Sequence, residues 1–166
     1  MGILVLSFMV HCTLFSQSAS KIGHINTNEL LNAMPETQNA NAELDAYGKT
    51  WQIQYNALND KYSELLKYYN ANEQKMSDSA KMKRAEEANA IKQQMQVVAK
   101  QAQDSIQKRR EILYQPIAQK ANKVISQLAV ENGYDYIVDS NNGLVIYMKM
   151  TSNDLLPAAK TKLGVK

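Results

Sequence analysis

Cysteine and histidine, the side chains used most in nucleophilic catalysis and zinc binding, are rare in this sequence and lie near the amino terminus. The only cysteine is Cys12, and one of the two histidines is His11. Past residue 15 the 166-residue chain keeps one histidine, His24, with no cysteine or second histidine to join it in a zinc site. The six glycines are too widely spaced to form a phosphate-binding loop. The composition therefore argues against an enzyme, a bound metal and a cofactor.

We expect residues 1–20 to be a secretory signal peptide that is cleaved near Ser20. Residues 3–15 are apolar apart from three polar positions, and small or polar residues follow before Lys21. The start of the segment lacks the usual Lys or Arg. A membrane anchor and a lipidated Cys12 are the alternatives, but as a helix the apolar stretch spans only about 20 Å of a membrane core of roughly 30 Å. The mature chain would begin at Lys21.

The middle of the chain predicts a long helical hairpin. Residues 50–132 contain no glycine and one proline, Pro116, and they are rich in good helix formers. Helical spacing predicts helices over about residues 36–76 and 80–132, with a turn between them and a kink at Pro116. The apolar seam of the first helix is Leu44, Tyr47, Trp51, Tyr55, Leu58, Tyr62, Leu65 and Tyr69. The seam of the second is Ala88, Ile91, Met95, Val98, Ala102, Ile106, Leu113, Ile117, Ala121, Val124 and Leu128. Large side chains facing small ones suit close antiparallel packing.

The two ends of the mature chain predict a small β body. Residues 134–139 and 144–148 have the pattern of strands around an Asn-Gly turn, and residues 21–25 are a third strand candidate. Two short helices complete this part, one capped by Asn26 and one beginning near Asp154. We divide the chain into a signal peptide (1–20), a body (21–35 and 113–166) and a hairpin arm (36–112). So small a body favours self-association.

The charge is concentrated in the arm. Residues 61–123 hold 13 basic and 7 acidic residues, while the whole chain has a net charge of only +3. Such a field attracts acidic polypeptides or anionic lipid, although a solvated helix surface is the alternative. Nucleic acid is not expected, since no module that reads a groove is visible. The candidate binding residues are the cations around the hairpin turn and two apolar residues off the seam: Lys67, Lys75, Lys81, Lys83, Arg84, Ile53 and Tyr68.

The order of these elements resembles the Skp/OmpH family of periplasmic chaperones. The resemblance is carried by residues 21–26 (KIGHIN), Leu30–Leu31, residues 34–36 (MPE), Pro116–Ile117, residues 132–139 (NGYDYIVD) and residues 153–156 (NDLL). It implies a mainly α fold in which helical hairpins project like tentacles from a trimeric barrel of short strands. It also implies a periplasmic protein that holds unfolded outer-membrane β-barrel proteins without ATP. The residues that such a body would use are Ile22, Ile25, Tyr136, Val138, Val145 and Tyr147.

Two other functions fit the sequence less well. An envelope coiled-coil scaffold or adaptor would dock its hairpin on a fixed folded partner and would need an apolar patch at the tip, whereas residues 70–84 are mostly polar and basic. An enzyme would need two converging carboxylates, whereas Glu86 and Glu87 belong to a helix surface. We therefore expect a holdase chaperone.

Overall fold

The computed structural model of the chain describes residues 20–141, 143, 145, 147 and 153–165. The protein is mostly helical, with one small sheet. Its elements, in chain order, are strand β1 (Ile22–Ile25), helix α1 (Thr27–Ala33), helix α2 (Pro35–Asn72), a 3-10 turn (Glu73–Lys75), helix α3 (Asp78–Asn132), strand β2 (Tyr136–Asp139) and helix α4 (Leu156–Leu163). Apart from Ser20, the predicted signal peptide lies outside the described residues. Within the described part of the chain, every helix is too short or too polar to cross a membrane.

Helices α2 and α3 form the predicted antiparallel hairpin. Residues that contact each other across the hairpin are closer in sequence the nearer they lie to the turn, as antiparallel packing requires. The pairs are Glu36 with Lys120, Glu43 with Arg109, Tyr62 with Lys92 and Tyr68 with Arg84. At about 1.5 Å per residue, the 38 residues of α2 extend roughly 57 Å and the 55 residues of α3 roughly 83 Å. The end of α3 therefore runs past the start of α2 into the body, as the lengths predicted from the sequence require.

Local signals set the ends of both long helices. Pro35 lies in the first turn of α2, where its missing N–H costs no hydrogen bond. The Ser77 hydroxyl caps α3 by accepting from the Ala80 N–H at 3.3 Å. Gly133 ends α3 in the left-handed conformation, with a φ of 64°. The predicted helix ends lie within a few residues of the observed ones, and α3 continues through Pro116.

The two predicted seams are the sides on which the helices pack. All eight seam residues of α2 are half-buried, and the positions between them are exposed except Gly48. In α3 the seam is half-buried as far as Leu113 and becomes buried from Ile117 onward. In α2 the buried positions are Thr37 and Ala40, close to its start. Since each arm helix has one partner, its seam keeps contact with solvent until the body covers it.

The sheet of the body has a parallel pair of strands. Strand β1 pairs with β2 so that Ile22 lies beside Tyr136, Gly23 beside Ile137, His24 beside Val138 and Ile25 beside Asp139. On the other edge of β1, the His24 N–H donates to the Asn153 carbonyl at 3.0 Å, and the Leu155 N–H donates to the His24 carbonyl at 2.9 Å. The predicted strand at 144–148 lies largely outside the described residues. Its two described members, Val145 and Tyr147, have no strand conformation.

The core of the body lies where the short elements cover the base of the hairpin. Ile25, Leu30 and Met34 are almost fully enclosed. They pack with Ile117, Ala121, Val124 and Leu128 of α3 and with Leu155, Leu156 and Ala159 at the start of α4. The predicted cap of α1 is present, since the Asn26 side chain accepts from the Glu29 N–H at 3.0 Å. At α4 the N-cap is Leu155 and not the predicted Asp154, whose side chain lies one residue earlier and accepts from the Leu156 N–H at 2.9 Å. The body thereby fixes the direction in which the arm leaves it.

Candidate functional site

The cations predicted from the sequence surround the end of the hairpin. Lys67 lies on α2, Lys75 in the 3-10 turn, and Lys81, Lys83 and Arg84 on the first turns of α3. Lys67, Lys75 and Lys83 are exposed, whereas Lys81 and Arg84 are half-buried. Arg84 pairs with Glu87 at 2.7 Å and lies 5.0 Å from the centre of the Tyr68 ring. We call these five residues the tip cations; among them Arg84 is partly neutralised by its carboxylate partner.

Apolar side chains are interspersed with the tip cations. Tyr68 is 51% exposed, and sequence reasoning missed Leu66, which is 38% exposed, and Met82, which is 66% exposed. Leu66 could have been found, because it follows the seam residue Leu65 and two adjacent residues cannot both face the partner helix. Beside them runs a groove of about 200 Å³ lined by Leu65, Leu66, Tyr69, Arg84, Ala85 and Ala88. The tip is therefore both cationic and apolar, which corrects the expectation, drawn from the polar composition of residues 70–84, that it has no apolar patch.

The tyrosine next to Tyr68 belongs to the turn rather than to the exposed surface. The Tyr69 hydroxyl donates to the Glu73 carboxylate at 3.1 Å, which connects the end of α2 to the 3-10 turn. This hydrogen bond, with smaller contributions from burial and from the charge of Glu73, raises the pKa of the Tyr69 phenol. Tyr69 thus remains a neutral donor and helps to shape the turn.

Ile53 lies away from the tip, halfway along the arm. Its side chain is 69% exposed and is 15 residues from Tyr68, about 22 Å along the helix. Close to it, between the two helices, is a groove of about 690 Å³ that we call the mid-arm groove. It is lined by Gln54, Ala57, Leu58, Lys61, Ala90, Gln93, Gln94, Val97 and Val98. The candidate binding residues therefore fall into two separate places, the tip and the middle of the arm.

Four of the six residues predicted for the body are in the sheet, and they fall on its two faces. Neighbours in register share a face, so Ile22, Tyr136, His24 and Val138 lie together on one side. On this outer face Ile22 is 52% and Tyr136 is 63% exposed. Ile25 points the other way into the protein's own core. Tyr147 is exposed and Val145 half-buried, both outside the sheet. The structure thus brings Ile22, Tyr136 and Val138 together and separates Ile25 from them.

His24 is held at the centre of the sheet and has a structural setting. Its Nδ1 lies 4.0 Å from the nearer carboxylate oxygen of Asp154, and its Nε2 is buried without a hydrogen-bond partner among the described residues. No group of three or more histidine, cysteine or acidic side chains in the described ranges is arranged to hold a metal ion. The sequence interpretation of His24 as a structural or surface residue agrees with this position.

A carboxylate locks β2 to the first helix. The Asp139 side chain accepts from the Thr27 hydroxyl at 2.6 Å, from the Thr27 N–H at 3.3 Å and from the Asn141 N–H at 3.0 Å. Burial alone would raise the pKa of Asp139, but these hydrogen bonds to the ionised form together lower it. These hydrogen bonds of Asp139 with Thr27 and Asn141, which we call the clasp, therefore connect the end of β2 to the start of α1.

Ion pairs brace the base of the arm. Glu36 pairs with Lys120 and Glu43 with Arg109, so that α2 and α3 are joined close to the body. The hydrogen bond from Lys120, more than any other contact, lowers the pKa of Glu36. Since both pairs are substantially exposed, they add little stability and chiefly fix the register of the two helices.

One protein-family model and a solved structure match this chain over most of its length. The family model described as "Outer membrane protein (OmpH-like)" matches residues 21–163. A crystal structure from Caulobacter crescentus CB15 that carries the description of an OmpH-like outer membrane chaperone superposes with a TM-score of 0.70. The match covers 88% of this chain and 85% of the other at 12% sequence identity, so it shows a shared fold. A search of the curated proteins found no match.

Proposed function

This chain belongs to the OmpH-like family of outer membrane proteins, and we propose that it is an ATP-independent holdase for unfolded outer-membrane proteins in the periplasm. The observation that carries the proposal is the arm itself. Over tens of ångströms its two helices keep their apolar seam only half-covered and present isolated apolar side chains among cations. This surface is suited to many weak contacts with an unfolded chain and poorly suited to one tight contact.

The mechanism follows from what an unfolded barrel protein exposes. Its strands alternate apolar and polar side chains, and their unpaired edges associate with other copies. An arm that contacts such a chain at several separate points keeps those edges apart. Because each contact is weak, the client dissociates without an energy source once another site competes for it. Binding and release then need no covalent step and no nucleotide.

We assign the first contact to the tip cations. Long-range attraction raises the rate at which an acidic client meets the arm, and the neighbouring Leu66, Tyr68 and Met82 then supply short-range contact. The same cations also suit anionic lipid headgroups, each cation contributing ~1 kcal/mol near a charged surface. Replacing Lys75, Lys81 and Lys83 by Glu should weaken client capture strongly at low salt and only slightly at high salt, since salt screens exposed charges. Fluorescence anisotropy of a labelled client at two salt concentrations measures this. An effect of the same size at both would refute the electrostatic role, and an affinity unchanged from the unaltered protein at both would leave these lysines a role in solubility alone.

We further propose that three copies assemble through their bodies. The support is the outer face of the sheet, where Ile22 and Tyr136 expose apolar surface beside Val138 on a body with a small core of its own. Val145 and Tyr147 would extend this contact, and Ile25 would support it from within the core. Export through a signal peptide over residues 1–20, with mature residues 21–35 and 113–166 as body and 36–112 as arm, belongs to the same proposal.

The test of the holdase function is an aggregation assay. A urea-unfolded outer-membrane barrel protein is diluted into buffer with increasing amounts of this protein, without ATP, and turbidity is recorded. We expect suppression near stoichiometric amounts, because holding consumes binding sites without turnover. Unchanged turbidity at a several-fold excess would refute the proposal. A folded barrel protein in detergent serves as control and should not be bound.

A further inference from the structure

We propose that the mid-arm groove binds the backbone of an extended polypeptide through its glutamine amides. The proposal rests on the proposed function and names a site and a chemistry for it: a neutral, extended segment recognised by its peptide groups. Recognition at the mid-arm groove would therefore rely on hydrogen bonds to the backbone, whereas the tip cations act through their charge. Three features of the groove support it.

The first feature is a set of side-chain amides without partners. Gln54, Gln93 and Gln94 line the groove, are exposed, and make no side-chain hydrogen bond within the described residues. Two other glutamines of the arm are engaged within their own helices, since Gln52 donates to Asn56 at 2.8 Å and Gln107 to Glu111 at 2.9 Å. What sets the groove apart is that three exposed amides from both helices line one depression. A side-chain amide both donates and accepts, as a peptide group does. The groove thus offers complementary donors and acceptors to a backbone of any sequence.

The second feature is a floor that lets a chain approach. Ala57 and Ala90 are small and exposed, one on each helix, so a segment lying between the helices meets no bulky side chain there. From Gln54 to Lys61 the groove extends about 11 Å at 1.5 Å per residue. An extended chain rises roughly 3.3 Å per residue, so three or four residues fit along it.

The third feature is the balance of apolar contact and charge. Val97 in the groove is 54% exposed, and the neighbouring Ile53 is 69% exposed, so alternate side chains of a bound strand have apolar surface to cover. The lining includes one cation, Lys61, and no carboxylate. A neutral or weakly acidic segment therefore enters without a desolvated negative charge opposing it. An unfolded barrel strand, with an alternating pattern and free peptide groups, has these properties.

The experiment uses a pair of fluorescein-labelled peptides with blocked ends. Both have the same alternating valine and threonine sequence, and one carries N-methyl groups on alternate residues, which removes backbone donors but keeps the side chains. We expect the methylated peptide to bind this protein about tenfold more weakly or worse, since several hydrogen bonds are lost together. Equal affinity for the two peptides would overturn the proposal.

A matched pair of variants locates the effect. In the double variant Gln54→Leu with Gln94→Leu, we expect the ratio of the two affinities to fall close to one, whatever happens to the affinity itself. The control, Gln115→Leu with Gln119→Leu, changes two exposed glutamines of α3 outside the groove and should keep the ratio of the unaltered protein. A ratio that is unchanged in both double variants would place backbone recognition elsewhere and refute the assignment. Circular dichroism confirms that each variant keeps its helices.

The outcome can be separated from that of the proposed function. Suppression of client aggregation without discrimination between the peptides would refute the groove and leave the holdase standing. Failure to suppress aggregation together with peptide discrimination would refute the holdase and leave a peptide-binding groove. Discrimination that disappears at high salt would also count against the groove, because neutral hydrogen bonds are weakly screened.

Discussion

Gly23 shows how a single residue allows the body to close. A Cβ atom at this position would lie 2.5 Å from a methyl carbon of Leu155 and 3.1 Å from two ring carbons of Tyr134. The first distance is far inside a van der Waals contact, and both neighbours pack in or against the core. Strand β1 can therefore lie this close to the start of α4, with Leu155 in its observed position, because residue 23 has no side chain.

We predict that Gly23→Ala destabilises the body. Leu155 has to move, and overpacking of this kind costs about 1–3 kcal/mol. Urea unfolding at a fixed protein concentration measures the loss. An unchanged midpoint would mean that Leu155 and Tyr134 adjust freely, contrary to their packing.

Asp139 makes the body sensitive to acid. Its folded-state pKa is lowered, so its ionised form contributes stability at neutral pH, and this contribution is lost as the pH falls from about 4 through the folded pKa. We predict that Asp139→Asn lowers the free energy of unfolding by about 1–2 kcal/mol at pH 7, after allowance for solvent screening. It should also flatten the stability profile below pH 4. Asp104→Asn, on the exposed arm where the carboxylate pairs with Lys100, is the control and should do neither. A parallel acid profile for Asp139→Asn and the unaltered protein would contradict the role of the clasp.

At the level of the elements, the arm has one position of weakness within α2. Gly48 lies between Tyr47 and the next seam residue, and a Cβ there would meet Ile106 at 3.9 Å, an ordinary contact. Glycine inside a helix costs up to about 1 kcal/mol relative to alanine. We predict that Gly48→Ala raises the free energy of unfolding by about 0.5–1 kcal/mol, measured by urea unfolding. It is the matched counterpart of Gly23→Ala, with the same change and opposite sign. A loss of stability would indicate that the arm at this level is closer packed than the structure describes.

The helical elements could be predicted from the sequence because their signals are local. Pro35, Ser77 and Gly133 mark helix ends wherever they occur in such a pattern, and a seam repeated over many turns fixes which side packs. The pairing of β1 with β2 could not be derived in the same way. It joins Ile22 to Tyr136 across most of the chain, and a four-residue strand carries no signal for its partner. Whether Ile22 or Ile25 faces the core likewise depends on α1 and α4 covering one side of the sheet.

Among the exposed apolar residues of the arm, some could be predicted from the seam pattern and others could not. The exposure of Ile53 and Tyr68 could be predicted, because a residue between two seam positions faces away from the partner helix. Met82, flanked by Lys81 and Lys83, gave no such signal, since methionine is flexible and suits both cores and exposed binding surfaces. The mid-arm groove was also missed, because it requires that Gln54 and Gln94 lie on the same side of the hairpin. That relation depends on the register of α2 against α3, which interhelical contacts fix.

On the scale of the whole molecule, the arm and the body differ in how much of their surface they bury. The two arm helices have one partner each and keep their seams half-exposed, so the arm cannot supply the buried area that a stable fold needs. The body must therefore anchor it, yet the body buries only a small core of its own. The outer face of the sheet is where additional burial is available, because Ile22 and Tyr136 lie side by side and exposed. Assembly through this face would stabilise the bodies and leave the arms free.

We predict that the protein sediments as a trimer and that Tyr136→Lys dissociates it. A lysine at this exposed position leaves each chain's own core intact but would place three ammonium groups in the contact, where desolvation and repulsion both oppose association. The control is Ile53→Lys, at a residue of similar exposure on the arm, which should remain trimeric. Sedimentation velocity over a range of protein concentrations distinguishes the species, and circular dichroism reports whether the separated chains keep their helices. A monomer of the unaltered protein at every concentration would refute the assembly. A trimer of Tyr136→Lys as stable as the control would move the contact to another face of the body.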